Sequence, residues 1–303
     1  FTWSRHRRHS RTCTIMEALA DQGRGRCLSH PRGVTTTIEV FTGQQDRQRA
    51  LGTLAEMQEQ GMQPNMINCN AAIKACSDAR QWERAGRILI EMQERGLEPD
   101  VRSFNFAIIA CTRGDQWERA LELLSHIGES DLQPNVISFS VAINACMKGE
   151  HWQGALRLVV QMQEQVVEPN AICLNSAISA CEKGEQWQQA LNLFDEMIRH
   201  SLKLSMVAYS ATISACEKGE EWQRALAMLS AMQRSHMEPS MITYSAALSA
   251  CGMCHKWEAA LSLMHDLKCQ TTETDMVAHT AVITALSKDC KWEVAIRSLQ
   301  DML

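Results

Sequence analysis

Apolar residues recur along this chain in two alternating helical patterns. In residues 206–240 the first pattern sets Tyr209, Ile213 and Cys216 at i, i+4, i+7, and the second sets Trp222, Ala225, Leu226, Leu229 and Met232 at i, i+3, i+4, i+7, i+10. Both spacings gather the apolar side chains on one face of an α-helix. Lys218, Gly219 and Glu220 separate the two patterns. Gly219 is expected to stop the first helix as the left-handed residue after its last turn. The second helix is expected to end near Arg234, because Pro239 bars its continuation. The same punctuation returns as Gly96 with Pro99, and as Pro134 and Pro169. No stretch carries a strand signal, so the expected class is all-α.

The pattern is also periodic over a longer distance. Trp82, Trp117, Trp152, Trp187, Trp222, Trp257 and Trp292 follow one another at intervals of 35 residues. Around them lie near copies of one motif: CMKGEHWQGAL from Cys146, CEKGEQWQQAL from Cys181 and CEKGEEWQRAL from Cys216. A helix pair of this size cannot bury its apolar face alone, and stacking on its neighbours gives one elongated solenoid of tandem helix-turn-helix units. Residues 1–30 lack the period and form an irregular basic extension. A degenerate unit spans 31–65, with Arg47 where tryptophan is due but Ala50, Leu51, Met57, Gly61 and Pro64 in register. Six full units cover 66–275 and a partial one 276–303. The start at Phe1 and the incomplete last unit are expected of a piece of a longer array.

Several repeat columns read as packing. Ala75, Ala110, Ala145, Ala180, Ala215, Ala250 and Ala285 form one, and Ala85, Ala120, Ala155, Ala190, Ala225, Ala260 and Ala295 another. Small residues at fixed positions let helices approach closely. Cys76, Cys111, Cys146, Cys181, Cys216 and Cys251 form a third column, whose members on stacked helices would lie about 9–10 Å apart, beyond disulfide reach. They are expected to be buried, reduced thiols. The tryptophans are expected to pack rather than to meet a ligand.

Two further columns vary between repeats within narrow chemical limits. One reads Thr35, Asn70, Asn105, Ser140, Asn175, Ser210, Ser245 and Thr280. The other, the last residue of each unit, reads Asn65, Asp100, Asn135, Asn170, Ser205, Ser240 and Asp275. Every member is short and hydrogen-bonding. Helix capping after proline explains that polarity in the second column, but not the joint variation of both.

The 35-residue period, the units ending in Pro-Asp or Pro-Asn, and the segment VISFSVAINACMKGEHWQGALRLVVQM from Val136 to Met162 together resemble the pentatricopeptide repeat family, over about nine tenths of the chain. The tetratricopeptide family, with a 34-residue period and a different signature, fits less well. The resemblance implies a right-handed superhelical α-solenoid whose first helices bind single-stranded RNA, one base per repeat. It makes the two polar columns the base-reading pair, and it implies that an aliphatic column sandwiches the bases: Ile67, Ile137, Ile172, Val207, Ile242 and Val277, with Arg102 departing. Such a division is physically reasonable, since aliphatic faces cover any base whereas amides, hydroxyls and carboxylates select among donor and acceptor edges. The family's pairing tendencies give 5′-AUYACNGR-3′ as the expected target.

Charge adds one element. The chain carries a formal net charge of −5, yet residues 1–33 hold seven arginines against Glu17 and Asp21. This acid-poor opening is compatible with the end of a chloroplast or mitochondrial transit peptide, and equally with a plain basic tail. Within the repeats Arg113, Lys148, Lys183, Lys218 and Lys288 recur at the ends of first helices. A cation is favourable there, and the resemblance implies that the stripe can face the RNA backbone. Asp78 and Met253 interrupt it. Glu150, Glu185 and Glu220 recur in the turns as expected partners of the second helix's N-terminus.

Other signals carry less. Cys251, Cys254 and His255 spell the c-type haem pattern CGMCH, but Cys251 belongs to the buried column. No second ligand pair for zinc is evident, and no phosphate loop, nucleophile elbow or paired-carboxylate site occurs. No run approaches the roughly 20 apolar residues of a membrane span. The expectation is therefore a non-catalytic binder of single-stranded RNA without cofactor, metal or membrane insertion, acting in organellar RNA processing, stability, editing or translation with possible protein partners. The alternative is a helical scaffold for protein–protein interaction, which predicts large apolar or charged residues in the groove-facing columns.

Overall fold

A computed structural model describes residues 64–130, 132–270 and 276–288, with positions 291 and 293. The calls on the leader and on positions 31–63 of the degenerate unit, Thr35 included, and on Asp275 lie outside these residues, as do the side chains of Val277 and Lys288. The described residues contain thirteen α-helices and no strand. The chain divides into two compact units, Phe1–Gly114 and Asp115–Leu303.

In the first unit, α1 (Met66–Asp78) packs on α2 (Trp82–Glu94) and on α3 (Val101–Arg113). The second unit opens with α4 (Trp117–Glu129) and continues with α5 (Val136–Lys148), α6 (Trp152–Glu164), α7 (Ala171–Lys183), α8 (Trp187–Arg199), α9 (Met206–Lys218), α10 (Trp222–Arg234), α11 (Met241–Met253), α12 (Trp257–Gln270) and α13 (Met276–Lys288). From α5 onward, each odd-numbered helix packs on the even-numbered helix that follows it and on the next odd-numbered one. The first helices of successive repeats thus lie side by side as one layer. Ile143, Ile178, Ile213 and Leu248 fill it, fully buried, with the alanine and cysteine columns beside them. The nine described cysteines are free thiols. Burial pushes Cys76, Cys146, Cys216 and Cys251 up to about 11 and Cys181 up to about 12, so these five thiols stay protonated.

The turns correct one expectation. Gly219 is not left-handed: its φ is −87°. The left-handed residue is Glu220, at φ +57°, with Glu150 and Glu185 at +56° and +57°. These glutamates stand where a glycine usually ends a helix. The amide that follows each of them donates to the carbonyl of the cysteine column, for instance Glu221 to Cys216 at 2.9 Å. The glycines serve a different need. A Cβ on Gly219 would lie 2.2 Å from Trp187 Cδ1, and Cβ atoms on Gly149 and Gly184 would lie equally close to Trp117 and Trp152. The half-buried tryptophan of one repeat therefore lies on the bare backbone of the next repeat's turn. Its ring is flanked further by Arg224 over Trp187 at 4.9 Å, Lys256 over Trp222 at 5.4 Å and His151 stacked on Trp117 at 4.6 Å.

Candidate nucleic-acid interface

Position within the helix fixes what each column can do. The last residue of every described unit is the N-cap of the following first helix. Asn65, Asp100, Asn135, Asn170, Ser205 and Ser240 all accept a hydrogen bond from the amide three residues on, satisfying a donor that the helix itself leaves open. In Asn135 the cap is reciprocal, through Ser138. One acceptor site of each side chain is spent in this way.

The two polar columns approach each other. In the first unit the Asn70 amide donates to Asp100 Oδ1 at 3.3 Å, and in the second Asn175 Nδ2 donates to Ser205 Oγ at 3.1 Å. Burial alone would push the Asp100 carboxyl up, but hydrogen bonds from the Ser103 hydroxyl, the Ser103 amide and Asn70, with Arg102 nearby, hold it below its ordinary value. Asp100 is thus an acceptor throughout the physiological range. Ser140, Asn175, Ser210 and Ser245 are half-buried, Asn105 is nearly covered, and Thr280 is exposed.

Beside these pairs stand aliphatic side chains that the fold leaves in solvent. Ile67, Ile137, Ile172, Val207 and Ile242 are each between 52% and 73% exposed, although the hydrophobes six residues later in the same helices, Ile73, Ile143, Ile178, Ile213 and Leu248, are fully buried. They occupy the second position of α1, α5, α7, α9 and α11. In the second unit, where these helices lie side by side, that repeated position gives an evenly spaced aliphatic row next to the polar pairs. Exposed apolar groups in a regular row mark a contact surface more readily than scattered ones.

Arg113, Lys148, Lys183 and Lys218 are the last residues of α3, α5, α7 and α9. Each described one reaches an acid of the preceding repeat: Arg113 to Asp78 at 2.5 Å, Lys148 to Asp115 at 3.7 Å, Lys183 to Glu150 at 3.8 Å and Lys218 to Glu182 at 2.8 Å. Asp78, expected only to interrupt the stripe, is thus one of its partners. Burial pushes the Glu217 carboxyl above its usual range, with the Ser249 hydroxyl and Lys218 opposing and Glu182 adding to the shift. These two glutamates were not singled out from the sequence, where they look like ordinary solvated residues late in a helix.

The haem-like pattern dissolves in the fold. Cys251 is fully buried, Cys254 caps α11 and donates to the Glu220 carbonyl at 2.9 Å, and His255 is a left-handed turn residue. Among the described residues no group of three potential ligands could hold a metal ion, and no helix is long and apolar enough to cross a membrane.

Sequence comparison matches the profile of the pentatricopeptide repeat domain to residues 33–79, 52–115, 87–150, 122–183 and 192–253, and that of the single repeat to 172–202 and 242–270. No curated protein sequence matches the chain. Among solved structures, the pentatricopeptide repeat protein PPR10 in complex with an 18-nt psaJ RNA element is similar at TM-score 0.75 and 17% identity, covering 96% of this chain and 42% of that one. The same protein from maize gives a TM-score of 0.53 at 19% identity, over 99% of this chain and 47% of that one. The repeat domain of Arabidopsis thaliana protein-only RNase P 1 in complex with tRNA gives 0.54 at 17% identity, covering 64% of this chain and all of that domain. The chain spans about two fifths of the length of the PPR10 chain. At these identities the likeness is one of fold, a helical-repeat solenoid.

Proposed function

Because the chain belongs to the pentatricopeptide repeat family, we propose that its first helices bind single-stranded RNA with one base per repeat and without catalysing a reaction. The observation that carries this reading is the exposed aliphatic row set against the polar pairs. Successive aliphatic side chains can cover the two faces of a base irrespective of its identity, and the pair between them offers donors and acceptors to its edge. Two of the similar structures are complexes with RNA, an 18-nt psaJ element and a tRNA, which supports the same ligand class. The columns assign the base contacts to Thr35 with Asn65, Asn70 with Asp100, Asn105 with Asn135, Ser140 with Asn170, Asn175 with Ser205, Ser210 with Ser240, Ser245 with Asp275, and Thr280. The proposed target is 5′-AUYACNGR-3′.

Phosphate contact falls to Arg113, Lys148, Lys183, Lys218 and Lys288. Four of these meet RNA by exchanging a carboxylate partner for a phosphate. By occupying a stretch of transcript the array would protect or reshape it during processing, editing or translation, and the basic leader supports a role in a chloroplast or mitochondrion.

Selection of bound sequences from a random RNA pool tests the reading. Asn175→Ser is expected to move the preference at one position from pyrimidine toward purine and to leave the other positions unchanged. Loss of binding to all sequences alike, or no change at all, refutes one-base reading and favours the protein-interaction scaffold.

A further inference from the structure

In α3, α7 and α11 the third residue, Ser103, Cys173 and Thr243 respectively, contacts the reading residue one repeat earlier. In the first unit Ser103 Oγ lies 2.5 Å from Asn70 Oδ1 and 2.8 Å from Asp100 Oδ1. In the second unit Thr243 Oγ1 lies 2.8 Å from Ser210 Oγ and 2.9 Å from Ser240 Oγ. Cys173 Sγ lies 2.9 Å from Ser140 Oγ. The Ser140 hydroxyl spends its proton on the Val136 carbonyl at 2.6 Å, so Cys173 is the donor in that contact.

Two repeats carry alanine at this place, and both leave the reading oxygen unanswered. Asn175 Oδ1, ahead of Ala208, and Ser245 Oγ, ahead of Ala278, are buried atoms without a hydrogen-bond partner within the protein. Ser103, Thr243 and Cys173 are themselves buried. They therefore act on a ligand only through the side chains they hold.

We infer that this third residue is a positioning residue for base specificity, setting the orientation and the donor or acceptor polarity of the reading residue one repeat earlier. The inference rests on the one-base-per-repeat reading above. An asparagine amide presents a donor on one side and an acceptor on the other, and the two orientations select opposite base edges. At Asn70 both ends have a partner, Nδ2 in Asp100 and Oδ1 in the Ser103 hydroxyl, whose one proton is shared with Asp100 Oδ1. At Asn175 only Nδ2 is fixed, by Ser205. For Ser210 and Ser240 the shared Thr243 hydroxyl has one proton to give, so the proton chain runs in one of two directions and either serine can be the donor toward the groove. That two-way chain suits the sixth base of 5′-AUYACNGR-3′, where any base is expected.

The test is selection from a random RNA pool with Ser103→Ala, Ser103→Thr, Ala208→Ser and Asn70→Ser, each in the full chain. Ser103→Ala should lower discrimination at the second base about threefold to tenfold, the scale of one hydrogen bond, and leave the other positions unchanged. Ser103→Thr should keep the original preference. Ala208→Ser should sharpen the preference at the fifth base, and this arm decides the matter if Ser103→Ala does not fold. An unchanged second base in Ser103→Ala, alongside a changed one in Asn70→Ser, overturns the third-residue role and leaves the pair reading intact. A second base unmoved by both variants overturns the pair reading as well. An equal loss of binding across all sequences in Ser103→Ala shows a purely structural role and overturns the inference.

Discussion

Replacing Gly219 by alanine adds one methyl group, and the structure gives its surroundings. The new carbon would lie 2.2 Å from Trp187 Cδ1 and 2.4 Å from Cγ, where unstrained carbon contacts need about 3.5–4.0 Å. Cγ is the anchored end of the ring, so rotation about the side chain cannot clear more than 1 Å of overlap. Arg224 covers the ring at 4.9 Å, which hinders its retreat. The overlap is thus expected to cost about 2–3 kcal/mol, toward the upper end for overpacking. In a Trp187→Ala background the obstacle is gone. Because φ at Gly219 is −87°, alanine fits the backbone there and should stabilise by about 0.4–1 kcal/mol through the unfolded chain. Trp187→Ala alone should cost about 2–3 kcal/mol, below the 3–5 kcal/mol of a fully buried aromatic, since the indole is half-buried. A double-mutant cycle measured by urea unfolding should then give a coupling of about 3 kcal/mol. Additivity within about 0.5 kcal/mol, with Gly219→Ala destabilising in both backgrounds, would refute the reasoning and restore a backbone role for the glycine.

Two other outcomes follow from the turns and the core. Glu185 holds a left-handed φ of +57°, so Glu185→Gly should raise the unfolding midpoint by an amount equivalent to about 1 kcal/mol, as thermal or urea denaturation would register. The Cys181 thiol is raised by burial from 9.0 to about 12. The folded state keeps this proton while the unfolded chain releases it, so stability is full below about pH 9 and falls as pH climbs toward 12. Each such thiol steepens the fall by up to about 1.4 kcal/mol per pH unit, and Cys181→Ala should be visibly less alkali-sensitive than the parent chain.

The helices, their bounds and the core columns were legible because periodicity of apolar residues and a 35-residue repeat report burial directly. The second helix does end at Arg234, and the cysteine column is buried and forms no disulfide. The turn was misread because glycine has two uses, a left-handed backbone and the absence of a side chain, and a single chain's composition does not separate them. Only the position of Trp187 against Gly219 does so. The cations were legible as a stripe, whereas their acidic partners were not. Asp115 and Glu150 share one offset in the preceding repeat, while Asp78 and Glu182 hold two others, so the four partners form no single column. The third-residue column escaped notice for a similar reason: Asn68, Ser103, Ser138, Cys173, Ala208, Thr243 and Ala278 look chemically mixed until the neighbouring repeat is laid beside them.

The capping of six first helices, α1 to α11, by the last residue of the preceding unit sets a limit on redesigning the array. A designer who swaps that residue to seek a new base is also choosing a helix start, and only asparagine, aspartate, serine, threonine and glycine make good ones. Any longer or apolar letter at Asn170 would forfeit about 0.5–2 kcal/mol, and the deficit would accumulate with each rewritten unit. The set of residue types in this column is therefore narrow for a reason unrelated to nucleotides.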